Sequence, residues 1–342
     1  MRTVRLASKV GMLALAACVA SPDLRGPLAV RNQHPAQLTV LHLDPTSAEV
    51  LPPGQTRTRI DAAYTSLFLF GSRPGSSWYM DGEYLRSALD LAVGLGHGLQ
   101  LGVQIAGAHT SGGFLDGFLI DYHELFGFPD QNRSTTERDR FRVDAQRGSD
   151  TVWSVERAGA ELLDVPVQLT WQLRKPGERR LGVVLRGGIE LPTGDDERGY
   201  GNGAVDVGLG IAFDYRIAGV GFTGQLGHTF AGTPGRAESF GLTFADVTSA
   251  AVGTELPLAS DLHALVQVEY ETSTLRRLGP AVASREQVYL WVGGRYQPEP
   301  SLGIEIGFGE DLVGMASPDF TAFFAMVWTP GRHARRRRPD PY

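Results

Sequence analysis

From about residue 56 to residue 328 the chain alternates apolar and polar residues in segments of roughly ten, the period of a strand with one apolar and one polar face. Leu163, Val165, Val167, Leu169, Trp171 and Leu173 fall on one face, with Asp164, Gln168, Thr170, Gln172 and Arg174 on the other. Val205, Val207, Leu209, Ile211, Phe213, Tyr215 and Ile217 repeat the pattern against Asp206, Gly208, Gly210, Asp214 and Arg216. About twelve such segments can be marked along the chain.

Hairpin register tests the alternation independently, because folding about a short turn must set apolar faces side by side. Folding at Gly96 to Gly98 pairs Leu95 with Leu99, Val93 with Leu101, Leu91 with Val103 and Leu89 with Ile105, with Asp90 opposite Gln104. Folding at Ala218 and Gly219 pairs Tyr215 with Phe222, Ile211 with Leu226 and Val207 with Phe230. Around Lys175 to Arg180, Trp171 is expected to meet Val183, Leu169 Leu185 and Val165 Ile189, with Gln168 opposite Arg186 and Asp164 opposite Glu190. Turns at Pro257 to Asp261 and Gln297 to Ser301 place Val252 against Val266, Val292 against Ile306 and Leu290 against Phe308.

The remaining connections are longer: Gly71 to Glu83, Gly107 to Ala158, Pro192 to Gly203, Ala231 to Ser239, Thr272 to Ser284 and Gly309 to Pro318. Strict alternation of short and long connections predicts an all-β, membrane-spanning, antiparallel up-and-down barrel of about twelve strands, with short periplasmic turns, long extracellular loops and both termini periplasmic. A soluble sandwich would also alternate, but its outer faces would be polar. The last strand, Phe320 to Trp328, ends on aromatics of the kind used in outer-membrane insertion, although the chain continues to Tyr342. Trp78, Tyr79, Tyr84, Tyr64 and Tyr270 lie near strand ends, where amphipathic rings favour the membrane interface.

Beyond the first twenty or so residues no apolar run approaches the ~18 that a spanning helix needs, and the mean hydropathy is -0.12. Residues 1–21 read as an export signal, with Arg2, Arg5 and Lys9 before the apolar stretch Val10 to Ala17. The only cysteine, Cys18, ends L-A-A-C, a lipobox-like string that makes it a candidate for acylation; ordinary cleavage after Ala20 or nearby is the alternative. Residues 22–55, broken by Pro27, Pro35 and Pro45, read as a periplasmic segment or a plug, and residues 56–329 as the barrel. A net charge of -6 argues against nucleic acid, and the run Arg335 to Arg338 reads as part of a solvated basic tail, residues 330–342.

A charge facing lipid near the midplane costs about 2–4 kcal/mol, so charged strand residues are expected to point inward. They are Arg59, Asp61, Arg86, Asp90, Arg186, Glu190, Asp206, Asp214, Glu269, Arg295 and Glu305. In the long Gly107 to Ala158 connection, Phe114, Phe118, Tyr122 and Phe126 recur at four-residue spacing and predict a short amphipathic helix. That helix could gate the lumen, rest on the outer leaflet, bind an apolar solute or cap the loops. The charged stretch Asn132 to Gly148 is expected to be mobile. Histidines 97, 109, 123, 228 and 263 are scattered, and no thiol pair or Ser-His-Asn arrangement is visible, so neither a metal, a cofactor nor an enzyme site is expected. Gly199 to Gly203 precedes a strand rather than a helix and reads as a flexible turn, and Asp195, Asp196 and Glu197 as an exposed acidic loop.

Two strings, G-P-L-A-V-R-N-Q-H-P (Gly26 to Pro35) and D-Y-H-E-L-F-G-F-P (Asp121 to Pro129), resemble the uncharacterised outer-membrane barrel family called domain of unknown function 3187. Glu190 to Asp195 and the glycine-rich stretch Gly201 to Gly210 are shared more widely among outer-membrane barrels. The resemblance implies a fold and a location and supplies no functional residues. The expected function is a passive channel or transporter for small solutes, apolar ones included, with outer-membrane lipid and the barrel insertion machinery as partners. The alternatives are a surface scaffold with a filled lumen and, last, a lipid-modifying enzyme.

Overall fold

The computed structural model describes residues 24–127, 133–313, 318 and 320–331. Fifteen strands are present among them: β1 (Thr56–Arg73), β2 (Ser76–Gly96), β3 (Leu99–Ser111), β4 (Arg142–Arg147), β5 (Asp150–Val155), β6 (Glu161–Leu162), β7 (Val165–Arg174) and β8 (Gly182–Leu191) come first. They are followed by β9 (Asp206–Ile217), β10 (Val220–Phe230), β11 (Val247–Pro257), β12 (Leu262–Glu271), β13 (Gln287–Glu299), β14 (Leu302–Asp311) and β15 (Phe320–Trp328). Twelve of them, β1 to β3 and β7 to β15, close into an antiparallel ring in which β1 pairs with both β2 and β15. Closure leaves no edge, the condition for a sheet to stand in lipid. No described helix is long and apolar enough to cross a membrane.

The two faces of the strands are inverted relative to a soluble protein. Ile60, Leu91, Leu169, Trp171, Leu209, Leu226, Val252, Ile306, Phe324 and Trp328 are exposed on the outside. Arg59, Arg86, Arg186, Glu190, Asp206, Asp214, Glu269, Arg295 and Glu305 are buried inside. Alternation carries this without exception at those positions, since each step along a strand reverses the face.

The Ala218–Gly219 hairpin has the expected register, as do the rungs Val93–Leu101, Leu91–Val103 and Asp90–Gln104. Leu95 and Leu99 are not partners, because a bulge sets Gly96 opposite Leu99. Three further registers are shifted by two residues from expectation. Trp171 meets Leu185 rather than Val183, Val252 meets Val268 rather than Val266, and Val292 meets Phe308 rather than Ile306. In all three the chain reverses later than expected, and the single-residue bulges at Gln172/Arg174 and Tyr296/Glu299 bring two of the shifts to an even number. A two-residue shift preserves which side chains face inward, so the assignment of faces stands.

The Gly71 to Glu83 segment is not a loop: β1 and β2 continue paired to Arg73 and Ser76, carrying a long hairpin beyond the ring. Nor is all of Asn132 to Gly148 irregular, since β4 pairs with Ser76–Asp81 of β2 and with β5. Val143 and Ala145 are buried among the charges there and pack with Val152 and Trp153. Trp78 and Tyr84 are buried in the same cluster rather than placed at a membrane interface. This cluster, with Leu67, Met80, Tyr200, Phe244 and Leu275, forms an apolar cap at the end of the barrel that carries the long connections. Gly199 to Gly203 belongs to it as an ordered turn, with Tyr200 and Asn202 fully buried and the Gly194 and Asn202 N–H groups donating to Asp164.

The thinnest seam of the ring lies between β3 and β7. Five residues, Leu99 to Val103, pair with β7, and two more, Gly107 and Ala108, pair with β6. Pro166, which brings no N–H, sits beside the interruption. For the lipid-facing surface, Ile306→Arg is expected to lower stability by about 2–4 kcal/mol, the cost of a cation near the midplane. Denaturant unfolding in lipid vesicles measures this, with Glu299→Arg at the strand end expected to change little.

Candidate functional site: the lumen and its occupant

The inward charges do not face open water. Residues 24–51 run inside the ring as a hairpin, and most of them are buried. The first arm enters beside the short turns, where the N–H groups of Arg25 and Gly26 donate to Glu255 at 2.9 Å each. Arg295 donates to the carbonyls of Gly26 (3.0 Å) and Pro27 (3.1 Å), and Arg59 to that of Ala29 (3.0 Å). The hairpin turns within the apolar cap at the short helix α1 (Pro35–Leu38), where Gln37 donates to the Thr272 carbonyl and accepts from the Thr274 N–H. The second arm returns along β8 to β10. Its Leu41 N–H donates to Asp206 (2.9 Å), Arg186 donates to the carbonyls of Leu43 and Asp44, and Asp214 accepts from Ser47 (2.6 Å) and the Ala48 N–H (2.9 Å). The Leu51 N–H closes the series on Gln100 at 3.0 Å.

Wall charges therefore hold the hairpin chiefly by its backbone, which satisfies buried groups on both sides at once. Some also neutralise each other, and others meet polar groups of the wall. Glu305 accepts from Arg59 (2.6 Å) and Arg295 (2.8 Å), and Asp61 accepts from Arg59 and Arg86. Asp90 accepts from Gln104 at 2.7 Å, and Gln104 also reaches Asp44 of the hairpin at 3.2 Å. Glu269 accepts from the Trp291 indole at 2.9 Å, and Glu190 faces inward opposite Asp206. Glu255, Gln225 and Gln267 complete the network with Gln104; the alternation that points the charged set inward points them inward too.

Packing is as specific as the charges. Leu41 and Leu43 lie over the inward glycines of β8 and β9: a Cβ at Gly208 would come within 2.9 Å of Leu41, and one at Gly188 or Gly210 within 3.0 or 3.1 Å of Leu43. The glycine-rich stretch is thus a groove for the hairpin. On the opposite wall Leu28 and Val30 pack with Ala63, Leu265, Trp291 and Phe323. Between the arms remains a cavity of about 150 Å3, bordered by Pro27, Ala29, Asp44, Thr46, Arg59 and Gln104.

The predicted helix is α2 (Asp116–Phe126), and it lies outside the ring. Phe114 stacks on Tyr64 of the outer face at 5.6 Å, and Phe118 is exposed, so neither enters the lumen. The lumen is filled instead by the N-terminal hairpin, whose apolar residues are too interrupted by prolines to reveal it as an interior element. The side chains of Tyr122 and Phe126 lie outside the described residues, as does Cys18. No group of three or more His, Cys, Asp or Glu suited to a metal occurs among the described residues. His263 is fully buried 3.0 Å from Glu255, part of the wall network.

A closed ring of twelve antiparallel strands, apolar outside and charged inside, defines an outer-membrane β-barrel. Among solved structures the chain is similar to the COG4313 outer membrane channel from Pseudomonas putida F1, at 12% identity over 84% of this chain and 100% of that chain, with a TM-score of 0.53. The NanC porin follows at 7% identity, 79% and 98% coverage and TM-score 0.43, and the P. putida toluene transporter TodX at 11%, 90% and 94%, and 0.37. At 12% identity the likeness to the COG4313 channel is one of fold. No curated protein sequence matches the chain. The chain belongs to the family described as Protein of unknown function (DUF3187), which matches residues 3–329.

The hairpin tip contains a titratable contact. His34 stacks on Trp78 (5.4 Å), and its Nδ1 accepts the Ala36 N–H (3.2 Å), which requires that nitrogen to be unprotonated. Burial pushes its pKa down to about 4, against the opposing pull of the Glu271 carboxylate. A docked pKa below the free value of about 6.5 means that docking is fully favoured above pH 6.5 and weakens as pH falls toward 4. The expected loss is at most about 3 kcal/mol. In a Cys18→Ser background, thiol labelling of a cysteine placed at Leu38, taken relative to an exposed reference cysteine so that the falling thiolate fraction cancels, should rise as the pH falls over this range in the intact protein and stay flatter in His34→Gln.

Proposed function

We propose that this protein is an outer-membrane channel for small solutes, closed at rest by its own N-terminal hairpin. The short turns and both termini face the periplasm in this reading, and the long connections face outside. One observation carries it: both arms of the hairpin leave the barrel at the same mouth, so the hairpin can withdraw without breaking a strand ladder. Its removal would expose a wall of interspersed Arg, Asp, Glu and Gln, groups that water and polar solutes solvate as the peptide backbone does. The inward charges would then set selectivity, and Arg186, Asp206 and Asp214 would change partner rather than lose one.

A second reading, a scaffold barrel with a permanently filled lumen, draws on the apolar cap that seals the far end around Leu38 and Trp78. Planar-bilayer conductance separates the two. The intact chain is expected to open rarely, and a chain lacking residues 24–51 to conduct in steps. Gly208→Val, which crowds Leu41 out of its groove, should raise the open fraction of the full-length chain. Folded deletion protein that stays silent would overturn the channel reading in favour of the scaffold.

A further inference from the structure

We propose that α2 is an interfacial anchor whose apolar stripe lies in the leaflet at the long-connection end, in contact with lipid acyl chains. In the orientation proposed above this is the outer leaflet; the lipid contact itself does not rest on the channel reading. The stripe is built from Phe114, Phe118 and Leu125, which are 73%, 54% and 78% exposed. Residues 118 and 125 fall on one face of the helix, while Leu119, about a quarter-turn away, is fully buried. Of the charged residues, Asp121 is exposed about a sixth of a turn from Phe118 and Glu124 about a third of a turn from it, on the side away from Leu119, which sets the stripe at the headgroup–acyl boundary.

What identifies the occupant is continuity with the lipid-facing belt. Tyr64 follows Ile60 and Ala62 on the outer face of β1, and its ring stacks on Phe114, so the exposed apolar surface passes from the barrel wall onto the start of the helix. The next outward residues of β1, Ser66 and Phe68, are covered: Arg133 reaches the Ser66 hydroxyl (3.2 Å) and lies over the Phe68 ring (4.5 Å). The α2 segment therefore begins where the bare belt ends. Its entry is fixed by Glu83, which accepts the N–H groups of Phe114 (2.8 Å) and Leu115 (2.5 Å), and by Arg133, which donates to Asp116 (2.6 Å). Anchored in this way, the helix cannot swing its stripe inward, and water is a poor environment for three large apolar side chains in a row.

Spin labels at Phe118→Cys and, separately, Leu125→Cys, each in a Cys18→Ser background, test this in phosphatidylcholine vesicles. Both should be relaxed more by lipid-soluble oxygen than by a water-soluble nickel chelate, with the order reversed at an exposed reference label, Glu137→Cys. Labels at both positions relaxed mainly by the chelate would overturn the proposal and place the helix in water. Labels shielded from both reagents and broadened by spin–spin coupling would overturn it in favour of a second copy of the chain. Neither outcome depends on whether the barrel conducts.

Discussion

Everything inside this barrel depends on the pairing of buried wall charges with the backbone of residues 24–51. A ring with lipid outside must carry its polar residues inward, and those residues must then meet water or a partner. Here Arg59, Arg186 and Arg295 find peptide carbonyls, and Asp206, Asp214 and Glu255 find peptide N–H groups. A peptide hairpin offers both kinds of group at close spacing, which suits a wall of mixed sign. Because the contacts are made largely to the backbone, the same wall would remain serviceable with water in the hairpin's place.

Two packed apolar regions accompany that polar network. At the far end, Leu38 and Val40 of the hairpin join Trp78, Trp153 and Phe244 in the cap, so the hairpin tip belongs to the same core as the long connections. Nearer the short turns, Leu28 and Val30 rest on Trp291 and Phe323. Disturbing the cap from outside would therefore loosen the hairpin tip directly, while the polar network below it would stay paired wall to wall through Glu305 and Asp61. The arrangement links loop conformation to lumen occupancy by contact rather than by a distant relay.

The barrel was legible in the sequence because its physical rule is a period of two. Strand number, the inward set from Arg59 to Glu305 and the span of β15 all follow from it. Registers at Lys175 to Arg180 and Gln297 to Ser301 are not legible, since a later reversal combined with a one-residue bulge gives an even shift that leaves the alternation away from the turn unchanged. The cap was hidden for a different reason: Val143 and Ala145 are isolated among arginines and aspartates, and only their pairing with β2 buries them. For the hairpin, prolines and short apolar runs left a plug and a periplasmic segment equally open, because its fit is decided by glycines 188, 208 and 210, far away in sequence. The position of α2 outside the ring was similarly undecided until Glu83 and Tyr64 supplied its anchor.

The most direct measurement is disulfide formation between cysteines placed at Ser47 and Asp214, whose side chains are in contact at 2.6 Å. In native outer membranes, with Cys18 replaced, the account predicts rapid oxidation to an internal disulfide and protection of both thiols from a bulky maleimide. Thiols that stay reduced, with that at position 47 labelled freely, would contradict a lumen occupied by the N-terminal hairpin.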